Sequence, residues 1–356
     1  MCYVGLWVYR TSLKSHLSLS SLKMKVFLLS AYLRNDPDSE WNKGCLIGLT
    51  RSAHCSEHSH RLADNPDEAD IILFCDPGPL PLSLSIFIHP IFRKYSHKCF
   101  LYNEDDLPAY WCRGFLVSGS YSQISPGLHQ GAAYVRNGLV AWTRQLPFPE
   151  GDQFLFSFVG SSETHIVRKN LMRILAGSDS ACLIDASRSI TQAAFMAGDE
   201  EAIQWLRNQF INACSRSLFV LCPRGVGASS IRLFEVMSMG RAPVVISDNW
   251  IPPFGANWDE FLIKIPEDDL AAIPTILLEK RPLAYELGAK AREAWKRWYS
   301  PESHFQTLVE ACEMLLAEPN AASHSKSTLF GEVFSPAGLR IIARYVRQRL
   351  SVIRSR

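Results

Sequence analysis

Between residues 217 and 254 the chain reads S-L-F-V-L-C-P-R-G-V-G-A-S-S-I-R-L-F-E-V-M-S-M-G-R-A-P-V-V-I-S-D-N-W-I-P-P-F, and its polar residues are of the types that hold an anion. Gly225 and Gly227 let a backbone approach phosphate oxygens closely. A helix beginning at Ser229 or Ser230 presents unpaired N–H groups at the positive end of its dipole, and the guanidiniums of Arg224 and Arg232 can fork onto phosphate oxygens. Together they form a candidate diphosphate cradle. Arg232 and Glu235 stand three apart on one face of an otherwise apolar helix, so a plain ion pair on a solvated helix edge is the competing expectation.

The flanking residues say how such a loop is positioned. Residues 218–222 are a short apolar run stopped by Pro223. Leu233, Phe234, Met237 and Met239 then repeat at helical spacing up to Gly240, and residues 243–247 form a second apolar run. Strand, loop, helix and strand make a βαβ unit whose two strands are parallel and whose loop lies at a strand's carboxyl end, where open α/β sheets bind ligands. The string Gly225-Val-Gly-Ala-Ser-Ser230 approaches the G-x-G-x-x-G of an NAD-dependent Rossmann enzyme, with Asp248 where the ribose acid would stand. Its third glycine is missing, however, and too few residues follow Asp248 to complete a dinucleotide domain that starts here.

Outside this stretch, Arg168 falls on a predicted helix just past Gly160-Ser-Ser162, and Glu104, Asp105 and Asp106 follow a predicted strand directly. A carboxylate at a cleft rim can take the proton of an acceptor hydroxyl, with Asp105 the candidate base; capping of a turn is the competing role for such acids. His89 and His129 are rival bases. Asp36-Pro-Asp38 has the spacing of a metal-binding carboxylate pair but falls in a loop after the first strand, and several arginines can neutralise a diphosphate without a metal.

The elements around these residues alternate. Runs at 26–30, 71–75, 99–102 and 115–117, then at 154–159, 183–185, 218–222, 243–247 and 261–265, read as strands separated by helical or loop segments, which indicates α/β architecture. Pro147-Phe-Pro-Glu-Gly151 is the candidate linker. The expected division is an extension outside the fold at 1–23, an N-terminal domain at 24–147, a C-terminal domain at 152–320 and a basic helical tail at 321–356. Its 356 residues allow two cores.

With 47% hydrophobic residues and a formal net charge of +2, the composition speaks against disorder and against a nucleic-acid partner. The ten cysteines form no C-x-x-C pair and read as reduced core residues, which favours the cytoplasm. No run reaches the ~18 apolar residues of a spanning helix. In the tail, arginines alternate with apolar residues at helical spacing; this suits either a helix docked on the protein or peripheral contact with an anionic membrane.

The string F-V-L-C-P-R-G, then R-L-F-E, G-R-A-P-V-V-I-S-D and P-P-F, resembles the nucleotide-sugar-binding segment of exostosin-like inverting glycosyltransferases. Asn65-Pro-Asp-Glu-Ala-Asp70 and Phe156-Ser-Phe-Val-Gly160 followed by Arg168 resemble earlier blocks of that family, so the similarity runs over about residues 25–280. It implies a GT-B fold, with two facing Rossmann-like domains and C-terminal helices. The donor would sit in the second domain and a glycan acceptor in the first. It further implies that Arg168, Arg224, Gly225, Gly227, Ser229, Ser230 and Arg232 hold the nucleotide diphosphate and that Glu235 holds a ribose or sugar hydroxyl; no cofactor is expected, and no metal, since the arginines can neutralise the diphosphate. The expected role is polysaccharide biosynthesis by a soluble, bacterial-type member, because animal members carry an N-terminal membrane anchor. A non-catalytic member that only binds nucleotide-sugar or supports a partner enzyme is the alternative.

Overall fold

The structure, a computed structural model, describes residues 23–31, 44–55, 60–76, 80–106, 108–125, 127–135, 144–149, 153–187 and 200–318, with single positions at 331, 334, 335, 339 and 343. Residues 1–22 of the expected extension at 1–23, the Asp36–Asp38 pair and nearly all of the basic tail lie outside them.

Six parallel strands form the first sheet: β1 (Lys25–Ser30), β2 (Arg61–Leu62), β3 (Ile71–Cys75), β4 (Cys99–Asn103), β5 (Gly114–Leu116) and β6 (His129–Gly131), in the order β2-β1-β3-β4-β5-β6. The run I-I-L-F-C of β3 is buried at every position, with Ile71, Leu73 and Cys75 in one core cluster and Ile72 and Phe74 in another. Side chains alternate across a strand, so a sheet covered on both faces needs an unbroken apolar run. Helices α1 (Gly44–Cys55), α2 (Leu80–Ile88) and α3 (Pro90–Tyr95) provide part of that cover.

The second sheet has the order β11-β10-β9-β7-β8 and is again parallel, built from β7 (Phe154–Gly160), β8 (Ala181–Asp185), β9 (Ser217–Pro223), β10 (Ala242–Ile246) and β11 (Ile263–Lys264). Helices α4 (Ile166–Ile174), α5 (Glu200–Ser215), α6 (Ile231–Met239), α7 (Ile273–Lys280) and α8 (Ala284–Ala294) accompany it. The expected βαβ unit is β9-α6-β10. Gly240 ends α6 in the left-handed conformation at φ 74, a backbone region that costs a residue without Cβ nothing extra. Two parallel α/β sheets result, as the expectation of two Rossmann-like domains requires.

Two features of the joint bear on the site. Tyr134, just past β6, packs its ring against Phe234 of α6 at 6.2 Å and its hydroxyl lies 2.6 Å from Ser118 Oγ. The final helix α9 (His304–Ala317) crosses back to the first sheet: Phe305, Leu308, Val309, Cys312 and Leu315 share a core with Val26, Leu49, Ile71 and Phe115. Ser52 Oγ of α1 donates to the Pro301 carbonyl at 2.6 Å and accepts from Phe305 N at 3.0 Å. The N-terminal unit therefore takes in residues 304–317, which the sequence division had put with the C-terminal domain.

Candidate functional site

Each sheet has one place where the chain reverses its order of strand addition, between β1 and β3 in the first and between β7 and β9 in the second, and ligands of open α/β sheets bind outside the carboxyl ends there. The two places differ in how their helix N-termini are satisfied. In the first, Asp76 at the end of β3 accepts from Cys45 N at 3.0 Å and Leu46 N at 3.2 Å, so a carboxylate of the protein already occupies the N-terminus of α1. Asp76 is buried and holds φ 55, a left-handed conformation that Asp tolerates better than most residues.

In the second sheet, Ser230 is the N-cap of α6 and makes no capping bond; its hydroxyl, on a residue only 7% exposed, has no partner among the described residues. Buried hydroxyls without partners are rare in folded proteins, and one at a helix N-terminus points to an absent acceptor such as a phosphate oxygen. By contrast, α4 is capped by His165, which accepts from Val167 N. The sequence expectation for Ser230 thus meets a vacant cap, while its neighbour Ser229 lies beside the Tyr134 hydroxyl.

The three arginines meet here in different roles. Arg168, from α4, spans the crevice between β7 and β9: Nε donates to the Arg224 carbonyl at 2.9 Å, Nη2 to the Pro223 carbonyl at 3.0 Å and Nη1 to the Ser161 carbonyl at 3.4 Å. Burial, then the nearby Arg232 charge, pull its pKa down to about 10, which leaves it a cation at neutral pH. A Cβ on Gly225 would stand 3.4 Å from Arg168 Nη2, so the glycine loop lies directly on this guanidinium. Arg224 pairs with Glu267 at 3.5 Å, while its buried Nε has no partner among the described residues. Arg232 pairs with Glu235 and stacks on the Phe210 ring at 4.2 Å. The competing expectation of an intrahelical Arg232–Glu235 pair is therefore present in this state. It is not on a solvated edge, because Glu235 is only 3% exposed. Three guanidiniums thus meet at the loop, against the carboxylates of Glu235 and Glu267, with Asp106 also acting on Arg168.

The first sheet faces this cradle through the loops after β4 and β5. Ala228 N donates to the Ser118 carbonyl at 3.1 Å, and a Cβ on Gly227 would come within 2.5 Å of Ser118 Cβ and 2.9 Å of Asp106 Oδ1. Gly227 is thus required by close approach of another loop, a reason the sequence alone does not show. Of the acidic cluster, Glu104 accepts from Val135 N, the backbone N–H of Asp105 donates to Asn103 Oδ1 at 2.9 Å, and Asp106 is exposed beside the loop. The rival histidines are structural: His89 caps α3 by accepting from Ile91 N, and buried His129 accepts from Ser125 N at 3.0 Å. Burial lowers the pKa of His129 to about 4.

Asp248 exchanges bonds with Glu267, accepting from Glu267 N at 3.3 Å and donating its own N–H to Glu267 Oε1 at 3.0 Å, rather than standing as a ribose ligand at a dinucleotide turn. A cavity of about 340 Å³ lined by Leu155, Leu218, Leu278 and Arg281 lies at the opposite, amino-terminal ends of β7 and β9. Nine cysteines among the described residues are free thiols. Among the described residues no group of three His, Cys, Asp or Glu side chains could hold a metal, and no helix is long and apolar enough to cross a membrane.

The Exostosin GT47 domain family matches residues 132–280, a span that opens just before Tyr134 and contains the whole cradle. Over 152 residues the chain is 28% identical to an Exostosin-1 homolog of Caenorhabditis elegans, covering 40% of each protein. Over 174 residues it is 24% identical to Exostosin-1 of Drosophila melanogaster, covering 46% of this chain and 23% of that one. A rice protein named as a probable glucuronosyltransferase is 31% identical over 106 residues, 27% of this chain and 25% of that one. The chain thus spans less than half the length of these relatives. Among solved structures, a glycosyltransferase from Rickettsia africae superposes on 84% of this chain and 100% of that one with a TM-score of 0.43 at 13% identity. Over residues 132–280, then, the chain matches the Exostosin GT47 domain family and is similar to exostosin-like glycosyltransferases.

Proposed function

We propose that the protein transfers a sugar from a nucleotide-diphosphate donor to a hydroxyl of a glycan acceptor. The observation that carries this is the uncapped N-terminus of Ile231–Met239, where the partnerless buried hydroxyl of Ser230 ends the loop that Arg168, Arg224 and Arg232 flank. The donor diphosphate would lie along the loop from Gly225 to Ser230. Arg168 holds that loop in place through its carbonyl bonds and contributes a fixed charge; Arg224 and Arg232 turn toward the phosphates as charge builds on the leaving group. Glu235, anchored by Arg232, is placed to accept from a ribose or sugar hydroxyl. A carboxylate of the 104–106 turn, where Asp105 was expected, activates the acceptor. Resemblance to the family supports a single displacement with inversion, and the arginines supply charge that would otherwise call for a metal.

The second reading, a member that binds donor without turnover, is favoured by the internal pairs of Arg224 with Glu267 and Arg232 with Glu235. Two measurements separate them. Calorimetry with UDP and GDP should show binding to the full chain. Release of nucleotide from a panel of UDP- and GDP-sugars, with and without EDTA, should show turnover that survives chelation. Binding without release supports the second reading, and activity that strictly needs manganese or magnesium overturns the metal-free one.

A further inference from the structure

Three carboxylates follow β4, and the structure separates them by where each is held. Glu104 reaches back to the backbone N–H of Val135, which fixes the segment that leads out of β6. Asp105 is half-buried and its N–H is bound to Asn103 Oδ1, so the turn is locked at that residue. Asp106 is exposed, and its Oδ1 comes within 2.9 Å of where a Cβ of Gly227 would be. Gly227 lies three residues before Ser230, and its neighbour Ala228 is bonded to the Ser118 carbonyl. Asp106 also acts electrostatically on both Arg168 and Tyr134, which brackets it between the crevice of the second sheet and the joint.

We propose that Asp106 is the catalytic base, a carboxylate of the first domain that stands against the donor loop itself. This rests on the donor-site reading above. In the transfer step the acceptor oxygen forms a bond to the anomeric carbon while its proton passes to an Asp106 carboxylate oxygen. The bond from the anomeric carbon to the diphosphate oxygen breaks, and its electron pair leaves with the diphosphate, next to Arg168 and the α6 N-terminus. A base held against the donor loop has a further consequence: the acceptor hydroxyl is positioned by the same contact that brings the two domains together.

The test uses the full chain and the isosteric variants Asp106→Asn and Asp105→Asn, with UDP binding by calorimetry, nucleotide release from UDP- and GDP-sugars, and thermal unfolding. Removal of a general base costs on the order of 100-fold or more in turnover. Asp106→Asn is expected to lose that much, with UDP affinity within about threefold of wild type and an unchanged melting temperature, while Asp105→Asn loses less than about tenfold. Turnover retained in Asp106→Asn, or lost only in Asp105→Asn, overturns the proposal and leaves the donor site standing. A wild type that binds UDP but releases no nucleotide from any sugar overturns it in favour of the non-catalytic reading. A wild type that binds neither UDP nor GDP removes the donor-site reading and this proposal together.

Discussion

Gly227 and Arg232 show how much of the cradle is decided by single side chains. An alanine at 227 would press its Cβ to 2.5 Å from Ser118 Cβ, and because that neighbour is a branch point next to backbone, the loops must separate. Overpacking of this kind costs about 1–3 kcal/mol. Gly227→Ala should lower the melting temperature, and Ser118→Gly in the same chain should recover part of the loss; equal additive losses would show that the two loops do not touch in solution. Arg232→Ala strips the partner from a carboxylate that is almost fully buried. We expect two effects: loss of stability, by about 1–3 kcal/mol for a partly exposed pair, and UDP affinity weaker by about 1.5–3 kcal/mol if a charge-assisted bond to phosphate is lost. Arg232→Ala with wild-type UDP affinity and an intact fold would remove Arg232 from the phosphate site.

At the scale of elements, the two reversal points of strand order make opposite predictions from one type of change. Asp76 satisfies two N–H groups at the start of α1, so Asp76→Ala should cost about 1–2 kcal/mol in chemical denaturation, the usual range for a lost cap. Ser230 caps nothing in the free protein. Ser230→Ala should therefore leave unliganded stability unchanged or slightly raised, and weaken UDP binding by about 0.5–1.5 kcal/mol, the net worth of one hydrogen bond. A stability loss in Ser230→Ala as large as that in Asp76→Ala would mean that the α6 cap is filled from within the protein. The asymmetry is physical: a helix N-terminus already holding an aspartate repels a second anion, and one ending in an idle hydroxyl attracts it.

For the whole molecule, α9 ties the end of the described chain to its beginning. Truncation at residue 303 removes Phe305, Leu308, Val309, Cys312 and Leu315 from the first core, each buried apolar side chain worth about 1.5–3 kcal/mol against a total stability of about 5–15 kcal/mol. Hydrogen exchange should then show lost protection in residues 25–131 while 154–264 stay protected; the reverse pattern would place α9 on the second sheet. The same unit holds two histidines kept neutral by burial, His129 and His304, each with its pKa lowered to about 4. An unfolded histidine titrates near 6.5, so between about pH 6.5 and 4 the unfolded chain binds more protons, and stability is full above 6.5 and falls as the pH drops. Going from pH 7 to pH 5 should cost roughly 2 kcal/mol per histidine. A urea midpoint for this unit that does not move over that range would show that both rings take up protons while folded.

What the sequence determined by itself is what local pattern can encode. Residues 71–75, 99–102 and 218–222 announce buried parallel strands because such strands need apolar side chains on both faces. The loop from Arg224 to Glu235 reads as a candidate anion site because glycines, serines and a helix start stand in direct succession. The short edge strands Arg61–Leu62 and His129–Gly131 were not legible, since two or three residues carry no period and a terminal position in the sheet asks for little apolar surface. Tertiary structure alone decided that Glu235 is buried with Arg232, that Arg168 is bound to carbonyls, that Asp76 fills one helix N-terminus while Ser230 leaves another vacant, and that Asp106 rather than Asp105 stands against Gly227. Each of these depends on which distant segments meet: composition names the charges available to a site, and only the packing of one domain on the other says which charge each of them faces.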